Sequence, residues 1–381
     1  MKKILVISFT DLNYDGRVSR QIDFIKDSYE LTVVCYKGIC NNGYKIINVE
    51  KTNFTFLHKF ITGIFLLLHL HQKAYSLLYQ IEAIIRKLAN EDFDLIIAND
   101  IEGLPLAHFL KGKGKIIFDA HEYAPRHFED KLMWRIFFQP FNIYLCKKYI
   151  PLIDAMTTVS RGLALEYSKN FNAMPELITN ATWYKNLKPY PILEDKIRLV
   201  HQGGAIPSRK LELMIEMMGY LDDRFTLDLI LMPPQLSSAK TSNYIGLLKQ
   251  LASSNSRIRI LSPLKSNEIV DFINQYDIGV FLLPPINFNY ANTLPNKLFD
   301  FIQARLAIAI GPTPEMAEVV DRYNIGVVSD DFKPETLAKQ LNKITKKQLQ
   351  QYKNNCDLAA EELSAEKNKF KLNKLIDSLL G

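Results

Sequence analysis

Short apolar, β-rich runs alternate with helical patterns along the whole chain, and they do so twice. In the first half the runs are Ile4–Phe9, Leu31–Cys35, Leu95–Ala98, Ile116–Ala120 and Met156–Ser160. Helical patterns separate them at Val18–Lys26, Leu77–Leu88, Pro105–Leu110 and Arg161–Asn170. The second half repeats the scheme, with runs at Ile197–Gln202, Leu227–Met232, Ile258–Leu261, Ile278–Leu283, Ala307–Ile310 and Gly326–Val328. Leu211–Met218, Asn267–Asn274 and Pro334–Ile344 read as helices between them, and a last helix is predicted over about Ala359–Leu380. Such alternation predicts an α/β chain of two doubly wound, parallel sheets. The polar segment Lys185–Lys196 contains two prolines and reads as a linker. The expected domains are 1–188 and 189–360, facing across a cleft with ligands at the carboxyl ends of the strands.

The bulk numbers fit a cytosolic enzyme. A chain of 381 residues with 48% hydrophobic content can bury two cores. The cysteines Cys35, Cys40, Cys146 and Cys356 form no CxxC pair, and read as reduced thiols. The N-terminus MKKILVISF reads as a first strand, without the apolar core and cleavage site of a signal peptide. Residues 1–188 carry 24 Lys/Arg against 19 Asp/Glu, whereas residues 189–381 carry 23 against 22. The basic half predicts an anionic partner. Nucleic acid is not expected, because no binding motif for it is present.

Chemistry-bearing residues follow the predicted strands. In Ala291–Gly311, Leu298, Phe299, Ile302 and Leu306 recur at helical spacing, and Pro295 suits a first helical turn. The preceding Asn292, Thr293 and Leu294 would point backbone N–H groups outward, as an anion site requires. Asn296, Lys297 and Asp300 stand in the first turns, able to bond a phosphate and a ribose. An ordinary capped helix would look the same. Gly203 and Gly204 follow a strand and let a backbone approach a pyrophosphate, with Arg209 placed to neutralise it. In the first half, Gly16 permits a tight turn, and Arg17 and Arg20 could hold an anion; a plain loop is the alternative. His121 follows a strand, is expected to titrate near neutrality and could donate to a sugar hydroxyl or a carbonyl; a helix-capping Asp119 and a surface His is the alternative.

These segments resemble the GT-B glycosyltransferases, specifically the large retaining family four, over most of residues 1–320. PNKLFD at Pro295–Asp300 resembles the donor-site signature, in which two acids stand eight residues apart. Asp300 takes the position of the ribose-binding acid, but Asn292 replaces the other. The wording Asp15-Gly16-Arg17-Val18 resembles the loop that lies against donor phosphates and acceptor. Asp119-Ala120-His121-Glu122 resembles a motif whose His contacts the donor sugar, and Asn99-Asp100 resembles the preceding His-Asp. Thr158–Ser160 and Pro175–Asn180 match further landmarks. The resemblance implies that Arg209 takes the place of a Lys that stabilises the departing diphosphate, and that Leu264 lies where the base binds through backbone atoms. It also implies that the C-terminal helix, 361–381, packs back on the first domain.

The expectation is transfer of a sugar from a nucleoside-diphosphate sugar, UDP first, with retention. Positive charge at Arg209 and Lys297 and donors at Thr293–Leu294 would stabilise the leaving diphosphate. His121 is the remaining catalytic candidate. No cofactor or metal is expected, since no DxD motif follows a strand. Asp15, Gly16, Arg17, Asp100 and Glu122 are the acceptor-side candidates. Lys51–Ile81 and Lys131–Ile150 lack acids and combine apolar runs with basic residues, including Trp134, Phe137, Phe138, Phe141 and Tyr144. They predict attachment to an anionic membrane surface, hence a peripheral place on the inner face of the cytoplasmic membrane and a lipid-linked or surface-polysaccharide acceptor. The alternative is two helices packing on the sheet. A non-catalytic nucleotide or sugar binder and a nucleotide-sugar epimerase are the competing functions.

Overall fold

A computed structural model describes the chain apart from residues 39–42, 51–53 and 233–238 and the side chains of 239–242. Cys40 lies outside the described residues; Cys35, Cys146 and Cys356 are buried free thiols. The chain divides into two compact units. Unit 1 comprises Met1–Thr179, Asn287–Asn289 and Lys369–Gly381, and unit 2 comprises Asn180–Ile286 and Tyr290–Asn368.

Unit 1 is built on seven parallel strands. They are β1 (Lys3–Ile7), β2 (Glu30–Cys35), β3 (Lys45–Asn48), β4 (Leu95–Asn99), β5 (Lys115–Ala120), β6 (Ala155–Thr158) and β7 (Glu176–Leu177), in the order β3-β2-β1-β4-β5-β6-β7. Helices on both faces bury β1 and β4 completely: Ile4, Leu5, Val6, Ile7, Leu95, Ile96 and Ile97 have no exposed surface. This explains their unbroken Val/Ile/Leu runs. Each such side chain stabilises the fold by about 1.5–3 kcal/mol.

Unit 2 has six parallel strands: β8 (Ile197–Gly204), β9 (Phe225–Met232), β10 (Ile258–Leu261), β11 (Ile278–Phe281), β12 (Ala307–Ile310) and β13 (Gly326–Val328), in the order β10-β9-β8-β11-β12-β13. The two orders share one scheme. The first strand of each unit is central, and the winding reverses between β1 and β4 in one unit and between β8 and β11 in the other. Ligands in open α/β sheets bind at such reversals, beyond the strand ends.

Several boundaries differ from the sequence reading. The helix expected over Leu77–Leu88 is two helices, His71–Tyr79 and Ile81–Leu88, broken at Gln80 with φ 47. The helix expected from Pro105 begins at Asp100. The last helix runs Ala365–Leu380, after a separate helix Lys346–Ala359 that starts in a Thr345–Gln348 capping box. The linker segment belongs to unit 2, and the division falls at Thr179/Asn180. Lys185 N donates to Gln303 Oε1, Arg305 donates to Lys185 O, and Lys188 pairs with Asp357, which hold the segment there. At the other end of the chain, Tyr29 Oη donates to Asp377 and Lys371 to Leu177 O, within unit 1.

Candidate functional site

At the β8/β11 reversal of unit 2, several expected donor residues come together. Gly203 and Gly204 are the last two residues of β8 rather than a loop after it, and Gly203 has φ 143. A Cβ at Gly203 would lie 2.9 Å from Lys297 Nζ and 3.8 Å from Arg209 Nη1. Both cations therefore end over backbone that only glycine leaves open. Lys297 projects from the first turn of helix Asn296–Gln303 and is 6% exposed. Its ammonium stands 3.7 Å from the Phe281 ring centroid and 3.3 Å from His201 Nε2.

The polarity of this contact is fixed from behind. His201 Nδ1 lies 2.9 Å from Val280 O, which only accepts, so Nδ1 carries the proton and Nε2 receives from Lys297. Burial, then the charge of Lys297, holds the His201 pKa well below its usual value. Burial, then the charge of Arg209, likewise holds Lys297 well below the ordinary lysine range, with Asp300 opposing only in part. Arg209 Nη1 donates weakly to Gly204 O at 3.4 Å and meets no carboxylate among the described residues. Two basic side chains crowded together in this way favour an anion between them.

The loop before the helix supplies neutral donors. Pro295 is the residue before the helix, not within its first turn. The Thr293 and Leu294 amides donate to no group among the described residues, while Leu294 O accepts from Asn180 Nδ2 at 2.9 Å. Asp300 is 9% exposed and accepts from Gln202 Nε2 at 2.9 Å. Asn292 and Thr293 are half-buried and Asn296 is exposed. Leu264 follows β10, two strand positions from β8, and packs against the same apolar core as Phe281, Leu294 and Leu298.

In unit 1 the β1/β4 reversal carries a second cluster, of different character. Arg17 was expected to hold an anion, and the structure corrects this. Its guanidinium is buried and doubly bonded to Asp119, at 2.6 and 3.2 Å, and donates to Ile178 O and Thr179 O. Asp15 is the N-cap of helix Gly16–Ile25, accepting from Val18 N at 3.0 Å, and Gly16 is the first helical residue.

His121 sits between two carboxylates. Nδ1 lies 3.2 Å from Asp100 Oδ2, and Nε2 lies 3.4 Å from Asp119 Oδ2 and 3.1 Å from Asn99 Oδ1. Burial opposes its charge, but Asp100 and Asp119 outweigh burial and push its pKa up to about 10. His121 is thus an imidazolium at pH 7, not a group titrating near neutrality. Asp119 is desolvated, yet Arg17 and His121 hold its carboxyl far below the usual range. Asp100 adopts φ 56, a sparsely populated region for a non-glycine residue. The strain aims its carboxylate at both the His121 ring and the His121 backbone N–H.

Sequence reasoning missed four members of this cluster. Gln21 donates to Asp119 and receives from Asn99, and Thr157 Oγ1 donates to Asp119. Burial, then the Asp100 charge, raises Glu102 to about 7. His127 lies 2.8 Å from Glu122, which, against the pull of burial, raises His127 to about 9. All four reach the site from separate elements, so local spacing carries no trace of them.

The two acid-free segments form helices Phe56–Leu67 and Leu132–Tyr149, which pack together where a Gly63 Cβ would lie 3.6 Å from Phe137. Phe141 is buried, and Phe65 and Phe137 are partly so, but Phe56, Leu57, Phe60, Ile64, Leu67, Leu132, Met133 and Ile136 are exposed. Among the described residues no helix is long and apolar enough to cross a membrane.

Solved structures with the same two-unit organisation exist. Sucrose-phosphate synthase from Thermosynechococcus elongatus superposes with a TM-score of 0.77 at 12% identity, over 100% of this chain and 99% of that one. The chain has the GT-B fold. Anabaena HepE in complex with UDP-glucose gives 0.71 at 12% identity, over 99% of this chain and 100% of that one. WaaG, a glycosyltransferase involved in lipopolysaccharide biosynthesis, gives 0.65 at 12% identity, over 98% and 99%. No protein-family model and no curated protein matches the chain.

Proposed function

We propose that this chain is a glycosyltransferase that moves a sugar from a nucleoside-diphosphate sugar, a UDP-sugar first, to a lipid-linked or surface-polysaccharide acceptor. The observation that carries the reading is the convergence of Lys297 and Arg209 over Gly203, beside the Thr293 and Leu294 amides, which donate to no group among the described residues. The fold shared with UDP-sugar-bound HepE agrees with it.

The chemistry follows from charge. As the glycosidic bond to the donor phosphate breaks, the sugar gains oxocarbenium character and the diphosphate gains negative charge. Lys297 and Arg209 would meet that charge already in position. In this reading the negative charge of the diphosphate offsets the burial and the Arg209 charge that hold the Lys297 pKa down, and so favours its ammonium form. Asp300 would accept from the ribose hydroxyls. No metal is invoked, since the cations supply the charge, and retention is part of the proposal. His121 would stand beside the donor sugar, with Asp100 and Glu122 on the acceptor side.

The exposed apolar residues of the two basic helices support a peripheral site on an anionic membrane surface, which suits a lipid-linked acceptor. The test is release of nucleoside diphosphate from a UDP-sugar in EDTA, with and without membrane lipid extract. Release that depends on the extract supports the reading. Conversion of the nucleotide sugar into its epimer without net release of nucleoside diphosphate would favour the epimerase reading instead.

A further inference from the structure

Unit 1 contains a second feature outside the site above. An open cavity of about 570 Å³ lies beside the His69–His71 turn and the C-terminal half of helix Leu132–Tyr149, lined by His69, His71, Gln139, Tyr144, Lys147 and Lys148 among others. This volume falls within the roughly 300–1,000 Å³ of small-ligand pockets. No carboxylate lines it. His71 is 6% exposed, and its Nδ1 has no hydrogen-bond partner among the described residues. Its Nε2 lies 3.4 Å from His69 Nδ1. His69 holds φ 55, a backbone conformation that needs support from its surroundings. Lys148 Nζ donates to Tyr144 Oη at 3.1 Å, and Lys147 forms no ion pair among the described residues.

The lining is mostly apolar surface, from Pro140, Ile143 and the lysine stems, but carries two imidazoles, two lysines, a phenol and an amide and no acid, so it disfavours cations and offers an oxyanion several donors beside hydrocarbon. A buried imidazole nitrogen without a partner is costly unless something fills that role. The chain that leads into the pocket says what else the ligand carries. Phe60, Ile64 and Leu67 recur at helical spacing, and with Leu68 and Leu70 they expose apolar surface up to the His69–His71 turn. A phosphate in the cavity with hydrocarbon along that surface is a phospholipid.

We infer that the His69–His71–Lys147–Lys148 cavity binds the phosphate group of a membrane phospholipid, holding unit 1 on the bilayer. This rests on the membrane-surface reading above, and adds to it a headgroup-specific site.

The experiment compares co-sedimentation with phosphatidylcholine vesicles carrying either phosphatidic acid or oleate, matched in surface charge. Three proteins are used: the unsubstituted chain, His71→Gln/Lys147→Gln, and Lys59→Gln/Lys73→Gln, which removes charge outside the cavity. The unsubstituted chain is expected to prefer phosphatidic acid by about tenfold, the scale of one charged hydrogen bond. The cavity variant should bind both vesicles alike. The outer variant should bind both more weakly, by about fivefold per lysine, with its preference intact. Lys147→Gln alone, at an exposed position, guards against misfolding at His71 and should shrink the preference. Retention of the full preference in the cavity variants overturns the site. Millimolar inorganic phosphate that shifts the His71 imidazole protons in the unsubstituted chain but not in Lys147→Gln, with no phosphatidic-acid preference in the vesicle assay, overturns the lipid assignment in favour of free phosphate. If the unsubstituted chain binds neither vesicle, the membrane reading itself falls, a result distinct from binding without preference.

Discussion

Lys297 is a cation in surroundings that disfavour one. Burial and Arg209 depress its pKa in the ligand-free protein, so unfolding takes up a proton below the ordinary lysine value. By linkage, this residue makes stability rise with pH between its lowered folded value and about 10.5. Lys297→Met should therefore raise the thermal midpoint of the ligand-free protein near pH 7 while reducing turnover by on the order of 10²-fold or more. Arg209→Ala should reduce turnover similarly. A Lys297→Met protein that is both less stable and fully active contradicts this placement. His121 has the opposite sign. Its folded pKa of about 10 exceeds the unfolded value near 6.5, so its stabilisation is fully present below pH 6.5 and is lost as pH rises through 10. NMR of the imidazole protons should show His121 titrating near pH 10, and in Asp100→Asn the value should fall by at least about one unit. An unshifted titration near 6.5 would contradict the two-carboxylate clamp.

At the scale of elements, the strand ends separate function from stability. Gly203→Ala places a methyl group against Lys297 Nζ on backbone at φ 143, so it should weaken nucleoside-diphosphate binding strongly. Gly279→Ala lies within β11, where its Cβ would meet the Phe301 ring carbons at 2.3–2.5 Å. Overpacking of this kind costs about 1–3 kcal/mol or more. Denaturant unfolding should show the larger loss for Gly279→Ala, and ligand titration the larger loss for Gly203→Ala; the reverse order would contradict both assignments. The long buried strands were legible in the sequence because β1 and β4 are apolar on both faces and β9 keeps one face apolar throughout. β3 was not, since four residues at a sheet edge with one buried side chain leave little signal. The Gln80 break was invisible because either side reads as good helix, and only the αL backbone of Gln80 separates them. The donor cluster was legible because Gly203, Arg209 and Lys297 are tied to strand ends. The clamp around His121 was not, because Arg17, Asp119 and Asp100 come from three distant segments and only their pairing sets the charge of the ring.

For the whole molecule, the account assigns the donor nucleotide to unit 2 and bilayer attachment to unit 1. A nucleoside diphosphate should therefore protect unit 2 amides, β8 and helix Asn296–Gln303 first, from hydrogen exchange, while anionic vesicles should protect helices Phe56–Leu67 and Leu132–Tyr149. Protection by nucleotide confined to unit 1 would contradict that assignment. Titration calorimetry of nucleoside diphosphates into the protein in EDTA tests the central claim most directly. The account predicts metal-free binding, UDP first, with affinity weakened at least about tenfold in Lys297→Ala, as removal of a charged hydrogen bond implies. Failure of every nucleoside diphosphate to bind, or undiminished binding to both Lys297→Ala and Arg209→Ala, would contradict it.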